Sequence, residues 1–298
     1  MIMLLLFPVV LLSYAAMHVY MGIKLRLAFP RLKQWTALLV MAATLLFIGP
    51  FLTRWFGNRG YVTLAWLAGA VGYTWIAVVF WFFSLGLVLD TWNLLVRLIS
   101  LLMAGEARWH IPARRAVQAV GLVIALAIAW GMVEARRLHV ETIVLKTDRL
   151  PAGKTIRIVQ ISDLHLTAHR GASLVPRVLD AVQSLAPDIL VSTGDLVDSP
   201  FEAVRGYAVA LRGLSPPGGR FAVLGNHEYY TGLKQAFAFH EAAGFSLLRG
   251  RLVKVAPGLW LAGVDDPAGS YTRQPHFEDE RALAAARPAD GFVLLLKH

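Results

Sequence analysis

The sequence of 298 residues contains no cysteine and few charged residues. Without cysteine, the chain has no disulfide framework, no zinc–thiolate site and no thiol nucleophile. Charged residues make up 16% of the chain and hydrophobic residues 57%, which is too apolar for a single soluble globule. Acidic residues are also scarcer than basic ones, 19 against 29, so the formal net charge is +10.

The hydrophobic excess lies almost wholly before residue 134, in spans long enough to cross a bilayer. A cleaved signal peptide is the alternative for the first span, but no basic segment precedes it and more spans follow. Residues 92–103 are apolar but contain Arg97, which favours an interfacial or re-entrant helix over a fifth span. We therefore predict a transmembrane domain over residues 1–137 with about four helices, at approximately 2–23, 35–52, 61–89 and 116–133.

The basic residues of this half flank the apolar spans, chiefly in the first and third loops. Attraction to anionic membrane lipids therefore explains the net charge better than nucleic-acid binding, which we do not expect. The positive-inside rule places these loops in the cytoplasm and the soluble domain on the opposite, extracytoplasmic side. One additional span would reverse this orientation.

The second half of the chain has the pattern of a soluble domain. Residues 138–154 read as a connector, with an edge strand at 141–145 and a turn around Pro151. From residue 155 to 298, β-favouring and helical segments alternate, which predicts an α/β sandwich. The expected strands lie at 155–161, 188–193, 220–224, 246–249, 251–255, 259–264 and 291–296, and the expected helices near 173–186, 201–213, 232–243 and 277–287.

Polar side chains follow four of these strands at the points where the strands end. In open α/β sheets such positions meet in one cleft, and carboxylate, imidazole and amide groups there suit divalent ions such as Mn, Fe or Zn. Any single motif is common by chance, but spacings of 32 and 31 residues separate Asp163, Asp195 and Asn226. The residues that follow the four strands are Asp163 and His165, Asp195 and Asp198, Asn226, His227 and Glu228, and Lys297 and His298.

The motifs Ser162-Asp163-Leu164-His165, Gly194-Asp195-x-x-Asp198, Gly225-Asn226-His227-Glu228 and Lys297-His298 resemble those of the calcineurin-like metallophosphoesterase superfamily. The resemblance covers roughly residues 155–298. It is strongest to the membrane-anchored bacterial branch related to phosphodiesterases of UDP-2,3-diacylglucosamine-type lipids. It implies an α-β-β-α sandwich, incomplete at its C-terminus, that follows an N-terminal α-helical transmembrane domain in the bacterial inner or plasma membrane.

The resemblance also implies two divalent metal ions and a role for each site residue. His227 would not bind a metal; it would lie over the phosphate and stabilise or protonate the leaving oxygen. Asp198 and Glu228 would support the ligands without contacting the ions. The ligands carried over are Asp163 and His165 for the first ion, Asp195 as the bridge, and Asn226 and His298 for the second ion.

This arrangement predicts the hydrolysis of phosphodiester or pyrophosphate bonds, with lipid-linked substrates among the candidates. Two nearby cations clamp a phosphoryl oxygen and lower the pKa of a bridging water, so that hydroxide attacks phosphorus in line. One bridging carboxylate, Asp195, holds the two cations at a short separation.

The sequence departs from the superfamily in one respect: a later Gly-His-x-His is missing and the chain ends at His298. We expect a truncated sequence, whose chain as given can be inactive. The alternative is a non-catalytic metal-binding membrane sensor or scaffold with a degenerate phosphoesterase fold. A transporter is a third hypothesis, disfavoured because the predicted spans contain no charged residue. The remaining histidines are expected at the surface (His169, His240, His276) or at the membrane interface (His18, His110, His139).

Overall fold

The computed structural model describes residues 2–103, 108–277, 279–289 and 291–298. The side chains of residues 2–6, 58 and 169 are not described, so the expectation for His169 lies outside the described residues. The contacts divide the chain into two compact units, Met1–Arg137 and Leu138–His298.

The first unit is helical. Each of its four long helices is long and apolar enough to cross a membrane, so the expected N-terminal set of four apolar helices is confirmed. A short 3-10 helix, Pro30–Trp35, connects the first two. The four helices are α1 (Ile2–Ala28), α2 (Thr36–Asn58), α3 (Val62–Leu102) and α4 (Ala113–Glu134).

Helix α3 does not end near residue 89, and residues 92–102 are its continuation instead of a separate helix. Residues 87–102 contain neither glycine nor proline that would break a helix. The carboxylate of Asp90 forms an ion pair with Lys24 and accepts a hydrogen bond from the Tyr20 hydroxyl, with an O···O distance of 2.7 Å. With 41 residues, α3 is about 60 Å long, twice the hydrocarbon thickness of a bilayer.

Small residues and one histidine join the helices of this unit. A Cβ atom on Gly72 would lie 2.7 Å from the backbone nitrogen of Pro50, so α2 and α3 can approach this closely only at glycine. His18 accepts a hydrogen bond from the indole of Trp75 at 2.8 Å and packs against Phe47. The ring of His18 is therefore used between helices, a role that the interfacial position expected from the sequence did not anticipate.

The second unit contains two sheets. The first has four parallel strands in sequence order, a pattern that suits strands covered on both faces. In the second, β5 and β6 are antiparallel and β6 and β7 are parallel. The strands are β1 (Ile158–Ile161), β2 (Ile189–Ser192), β3 (Arg220–Ala222), β4 (Ser246–Leu247), β5 (Arg251–Ala256), β6 (Leu259–Gly263) and β7 (Phe292–Leu296).

Two hydrophobic clusters hold these layers together. One lies between the sheets and joins Ile189 and Val191 of β2 to Leu261 of β6 and Leu296 of β7. The other joins the outer face of the first sheet to three helices. These layers confirm the expected α/β fold with stacked sheets. The helices of this unit are α5 (Ala168–Leu185), α6 (Phe201–Arg212), α7 (Asn226–Thr231), α8 (Leu233–Ala243), α9 (Ala268–Thr272) and α10 (Glu280–Ala285).

Local differences from the sequence prediction are confined to short segments. Residues 141–145 form no strand, and Ile143 and Val144 are each 75% exposed. An alternating pattern alone does not make a strand where no neighbouring strand supplies hydrogen bonds. The turn at Pro151 is present, since its carbonyl accepts from the Lys154 N–H at 3.0 Å. Helices α7 and α9 were not predicted, because each is only five or six residues long.

Candidate metal centre

The loops that follow β1 and β2 run side by side from the carboxyl ends of the strands. The backbone N–H of His165 donates to the carbonyl of Asp195 at 2.9 Å, and that of Leu166 donates to Leu196 at 2.8 Å. Leu166 and Val197 also form an isolated parallel bridge. These bonds fix the spacing between the two loops that carry the acidic and histidine side chains.

Three residues of these loops adopt the left-handed backbone conformation. The φ angles are 55° at Asp163, 45° at His165 and 53° at Asp195. Asp and His tolerate this region better than most residues, at a cost of about 1 kcal/mol each. The hydrogen bonds between the loops hold the backbone in this conformation. The conformation directs the side chains of Asp163, His165 and Asp195 into one cleft.

Two glycines allow the loops after β2 and β3 to touch. A Cβ on Gly194 would lie 2.5 Å from the backbone nitrogen of Gly225. A Cβ on Gly225 would lie 2.2 Å from Asp195 Oδ1. Glycine is therefore required at both positions for close approach, and Gly194 also has a φ of 105°.

The Asp195 carboxylate lies at the centre of the site and is only 4% exposed. Its Oδ2 atom is 3.4 Å from His298 Nε2, 3.8 Å from His165 Nε2 and 4.0 Å from His227 Nε2. Its Oδ1 atom accepts the backbone N–H of His227 at 2.9 Å. One oxygen of this carboxylate thus faces three imidazole nitrogens, and the other fixes its orientation.

Asp198 contacts two of these imidazoles on their opposite edges. Its Oδ1 is 2.7 Å from His227 Nδ1, and its Oδ2 is 3.1 Å from His165 Nδ1. An ionised carboxylate only accepts hydrogen bonds, so both Nδ1 atoms carry the protons in this arrangement. Both Nε2 atoms are then directed towards Asp195. For His165 this is the arrangement typical of a metal-binding histidine held by a carboxylate.

The described residues form two groups that could hold a metal ion, Asp163 with Asp195 and His298, and His165 with Asp198 and His227. The members of the second group lie close together because Asp198 accepts hydrogen bonds from both histidines. Through Nε2, His165 also lies 3.8 Å from Asp163 Oδ1. The site is therefore best described as one continuous cluster around Asp195.

His298 is oriented in the same way from the end of β7. Its Nδ1 donates to the carbonyl of Thr193 at 2.9 Å, which leaves Nε2 facing Asp195. The sequence gives no sign of the Thr193 contact, because it uses a backbone oxygen. Lys297 is turned aside and pairs with Glu280 at 2.5 Å. Asn226 is the first residue of α7 and partly buried.

Glu228 is fully buried and organises the backbone beneath the cluster. Its Oε1 accepts the N–H groups of Leu196 at 2.7 Å and Val197 at 3.3 Å. Its Oε2 accepts those of Asp195 at 2.8 Å and Gly225 at 2.9 Å. One carboxylate thus joins the loop after β2 to the start of α7, and both of these segments carry site residues.

His240 of α8 lies behind Glu228 and is fully buried, so the surface position expected for it is wrong. Its Nδ1 donates to the carbonyl of Ala236 at 2.8 Å, and among the described residues Nε2 has no hydrogen-bond partner. Burial lowers the pKa of His240, although the nearby Glu228 carboxylate acts in the opposite direction. The signal in the sequence was helical spacing, because Ala236, His240 and Ala243 occupy one face of α8.

Tyr230 is a further residue at the site that the sequence did not single out. Its ring contacts His227 edge to face, with 5.5 Å between ring centroids, and its side chain is 64% exposed. It therefore lies at the open side of the cluster, where a ligand could reach it.

The fold and the cluster define a class of protein in which stacked sheets present carboxylates and imidazoles to divalent metals. The model of the family described as calcineurin-like phosphoesterase matches residues 156–290. An uncharacterized metallophosphoesterase of Aquifex aeolicus is 40% identical over 176 residues, covering 59% of this chain and 67% of the relative. The chain belongs to the calcineurin-like metallophosphoesterase family.

Two further relatives match smaller parts of their own length. A transmembrane protein with metallophosphoesterase domain from Danio rerio is 30% identical over 62% of this chain and 44% of the relative. The UDP-2,3-diacylglucosamine pyrophosphatase LpxG of Chlamydia trachomatis is 46% identical over 77 residues, 26% of this chain and 23% of the relative. The chain thus spans less than half of each of these two relatives. The comparison with solved structures gives no match.

Proposed function

We propose that the protein is a membrane-anchored phosphoesterase that hydrolyses phosphodiester or pyrophosphate bonds with two divalent metal ions. The observation that carries this proposal is the position of Asp195 Oδ2, 3.4 Å from His298 Nε2 and 3.8 Å from His165 Nε2. A divalent ion bound at about 2.0–2.2 Å separates its ligand atoms by roughly 3–4 Å. One carboxylate can therefore serve two ions.

The donor atoms fit this assignment. Asp163 and His165 would hold the first ion with Asp195, and Asn226 and His298 would hold the second. A set of carboxylate, imidazole and amide groups suits Mn, Fe, Zn or similar divalent ions. The backbone is left-handed at Asp163, His165 and Asp195. Strain of this kind occurs at functional sites, where the direction of a side chain matters more than the stability of its loop, and this supports the assignment.

When bound, the two ions would supply Lewis-acid stabilisation of the phosphoryl oxygens and an activated water as nucleophile. The protein's own groups orient the reaction. His227 lies beside the cluster, 37% exposed, and with both ring nitrogens protonated its Nε2 would stabilise or protonate the leaving oxygen. Asp198 holds the ring of His227 at Nδ1, and Glu228 keeps the loop of Asp195 in place.

We infer that the substrate is a phosphoester of the membrane, with a lipid-linked diphosphate as the first candidate. Four helices long and apolar enough to cross a membrane would hold the site near a bilayer, and one relative is named a UDP-2,3-diacylglucosamine pyrophosphatase. The phosphoesterase domain would begin near residue 155, after the connector at 138–154. The distribution of basic loops favours an extracytoplasmic domain in a bacterial inner membrane.

Hydrolysis of bis(p-nitrophenyl) phosphate by the full-length protein in neutral detergent tests the proposal. We expect activity that requires Mn²⁺ and is abolished by a chelator. Asp195→Asn should lower the rate at least about 100-fold, because loss of the shared ligand removes several kcal/mol of transition-state stabilisation. Asp180→Asn, an exposed carboxylate on α5, is the matched control and should leave the rate unchanged. Equal rates in all three proteins would refute the catalytic assignment.

A further inference from the structure

A cavity of about 340 Å³ lies inside the helical unit, between α1, α3 and α4. Its walls are apolar, with Leu27 of α1, Leu89 of α3 and Val117 of α4 among them. Polar groups line the cavity as well, namely Lys24, Asp90, Asn93, Arg97 and His110. A lining that combines apolar and charged side chains suits an amphiphile better than a purely polar or purely apolar ligand.

The charge of the polar lining is positive. The Asp90 carboxylate is already engaged by Lys24 and by the Tyr20 hydroxyl. Arg97 is an exposed cation of the lining, and its guanidinium donates to His110 Nε2 at 3.3 Å. With Asp90 the one acidic group in the described lining, the cavity complements an anion.

The sequence around the cavity places it at the basic end of the unit. Here α1 ends, α3 ends and α4 begins, and Trp92 donates from its indole to the carbonyl of Trp109 at 3.1 Å. Tryptophan is enriched at the level of lipid headgroups, and Trp109 is 77% exposed. The helix ends and connecting segments at this end carry Lys24, Arg26, Arg31, Lys33, Arg97, Arg108, Arg114 and Arg115.

The loop before α4 is fixed in a way that shapes the cavity. The Asn93 amide donates to the carbonyl of Ile111 at 2.9 Å and accepts its N–H at 2.8 Å. This pair of bonds mimics a backbone ladder and anchors residues 110–111 to α3. The position of His110 in the lining therefore follows from the fold of a described, hydrogen-bonded segment.

We propose that this cavity binds an anionic phospholipid of the surrounding bilayer, with the phosphate beside Arg97 and His110 and an acyl chain along the apolar wall. Basic pockets between transmembrane helices bind such headgroups through charge and hydrogen bonds. The volume accommodates a headgroup, and the apolar side chains extend the contact towards the hydrocarbon. The site is separate from the metal cluster and does not depend on the proposed hydrolysis.

Thermal unfolding of the full chain in dodecyl maltoside, with added lipid, tests this inference. Dioleoyl phosphatidylglycerol should raise the unfolding midpoint in a saturable way, whereas dioleoyl phosphatidylcholine and inorganic phosphate should not. The first lipid combines an anionic phosphate with an acyl chain, the second has no net charge, and the free anion has no chain. An equal shift with phosphatidylcholine or with inorganic phosphate would overturn the proposal.

Variants locate the binding site. Arg97→Gln should weaken the affinity for phosphatidylglycerol about 5-fold. Attraction between one basic side chain and an anionic lipid is worth about 1 kcal/mol, which corresponds to this change in Kd. Ala116→Phe, which fills the cavity without removing a charge, should also weaken it. Arg59→Gln is the matched control, because Arg59 stacks on Trp55 in the turn between α2 and α3. Loss of affinity in Arg59→Gln equal to that in Arg97→Gln would refute a specific site, as would wild-type affinity in both cavity variants.

Discussion

Each of the two units contains a carboxylate with several partners, and the partners are of different kinds. Asp90 of the helical unit is engaged by two side chains, those of Lys24 and Tyr20, both on α1. Glu228 of the α/β unit instead accepts four backbone N–H groups from two loops. The first carboxylate links two helices, whereas the second determines the course of the backbone around the metal cluster.

Of the substitutions that neutralise these two carboxylates, Glu228→Gln should have the larger effect on hydrolysis. A carboxamide offers one acceptor oxygen where the carboxylate has two, so buried N–H groups of the site loops lose their partner at about 1–3 kcal/mol each. We expect hydrolysis to fall 10- to 100-fold together with metal affinity. Rates and metal titrations of the folded variant measure this, with the exposed Glu241→Gln of α8 as control. A wild-type rate in Glu228→Gln would contradict the role assigned to this carboxylate.

Asp90→Asn should affect stability but not hydrolysis. It leaves the Lys24 ammonium without its counter-ion, and because both side chains are partly exposed the cost is about 1 kcal/mol. The unfolding midpoint of the helical unit should fall by about 2–4 °C, while hydrolysis of a soluble diester per folded molecule stays constant. Glu134→Gln, at the exposed end of α4, serves as control. A fall in hydrolysis without loss of folded protein would break the contrast between the units.

The smallest effect concerns His240, which is buried next to Glu228. Burial lowers its pKa in the folded state, so the unfolded chain takes up the proton first as the pH falls through its ordinary value of 6.5. The wild type should thus lose at most about 0.7 kcal/mol of stability between pH 7 and pH 6. His240→Phe should remove this contribution, whereas His276→Gln should not. Denaturant unfolding at the two pH values measures the difference, and an unchanged slope in His240→Phe would contradict it.

The sequence predicted most of the helical unit, because length and apolarity alone decide which segments can span a bilayer. It did not predict the continuity of α3 past Asp90, since that depends on Lys24 and Tyr20 of another helix. The separate 92–103 helix was expected because Arg97 is unfavourable in a bilayer, but the 41 residues of α3 extend beyond the hydrocarbon.

In the α/β unit, the sequence predicted which strand ends carry polar groups, and the structure places Asp163, His165, Asp195, His227 and His298 together. It could not predict that Asp198 holds two imidazoles at once, because that contact needs the two loops in register. The edge strand at 141–145 was wrong for a related reason: a strand depends on its neighbour, which an isolated pattern does not supply.

Metal content per chain tests the central claim, that one carboxylate serves two ions. After loading with Mn²⁺ and removal of free metal, the wild type should retain two ions per folded chain, measured by inductively coupled plasma mass spectrometry. Asp195→Asn should retain at most one ion. His227→Ala should retain two ions and still lose hydrolysis, because His227 acts on the leaving oxygen. Two ions in Asp195→Asn, or one ion in the wild type, would contradict the account.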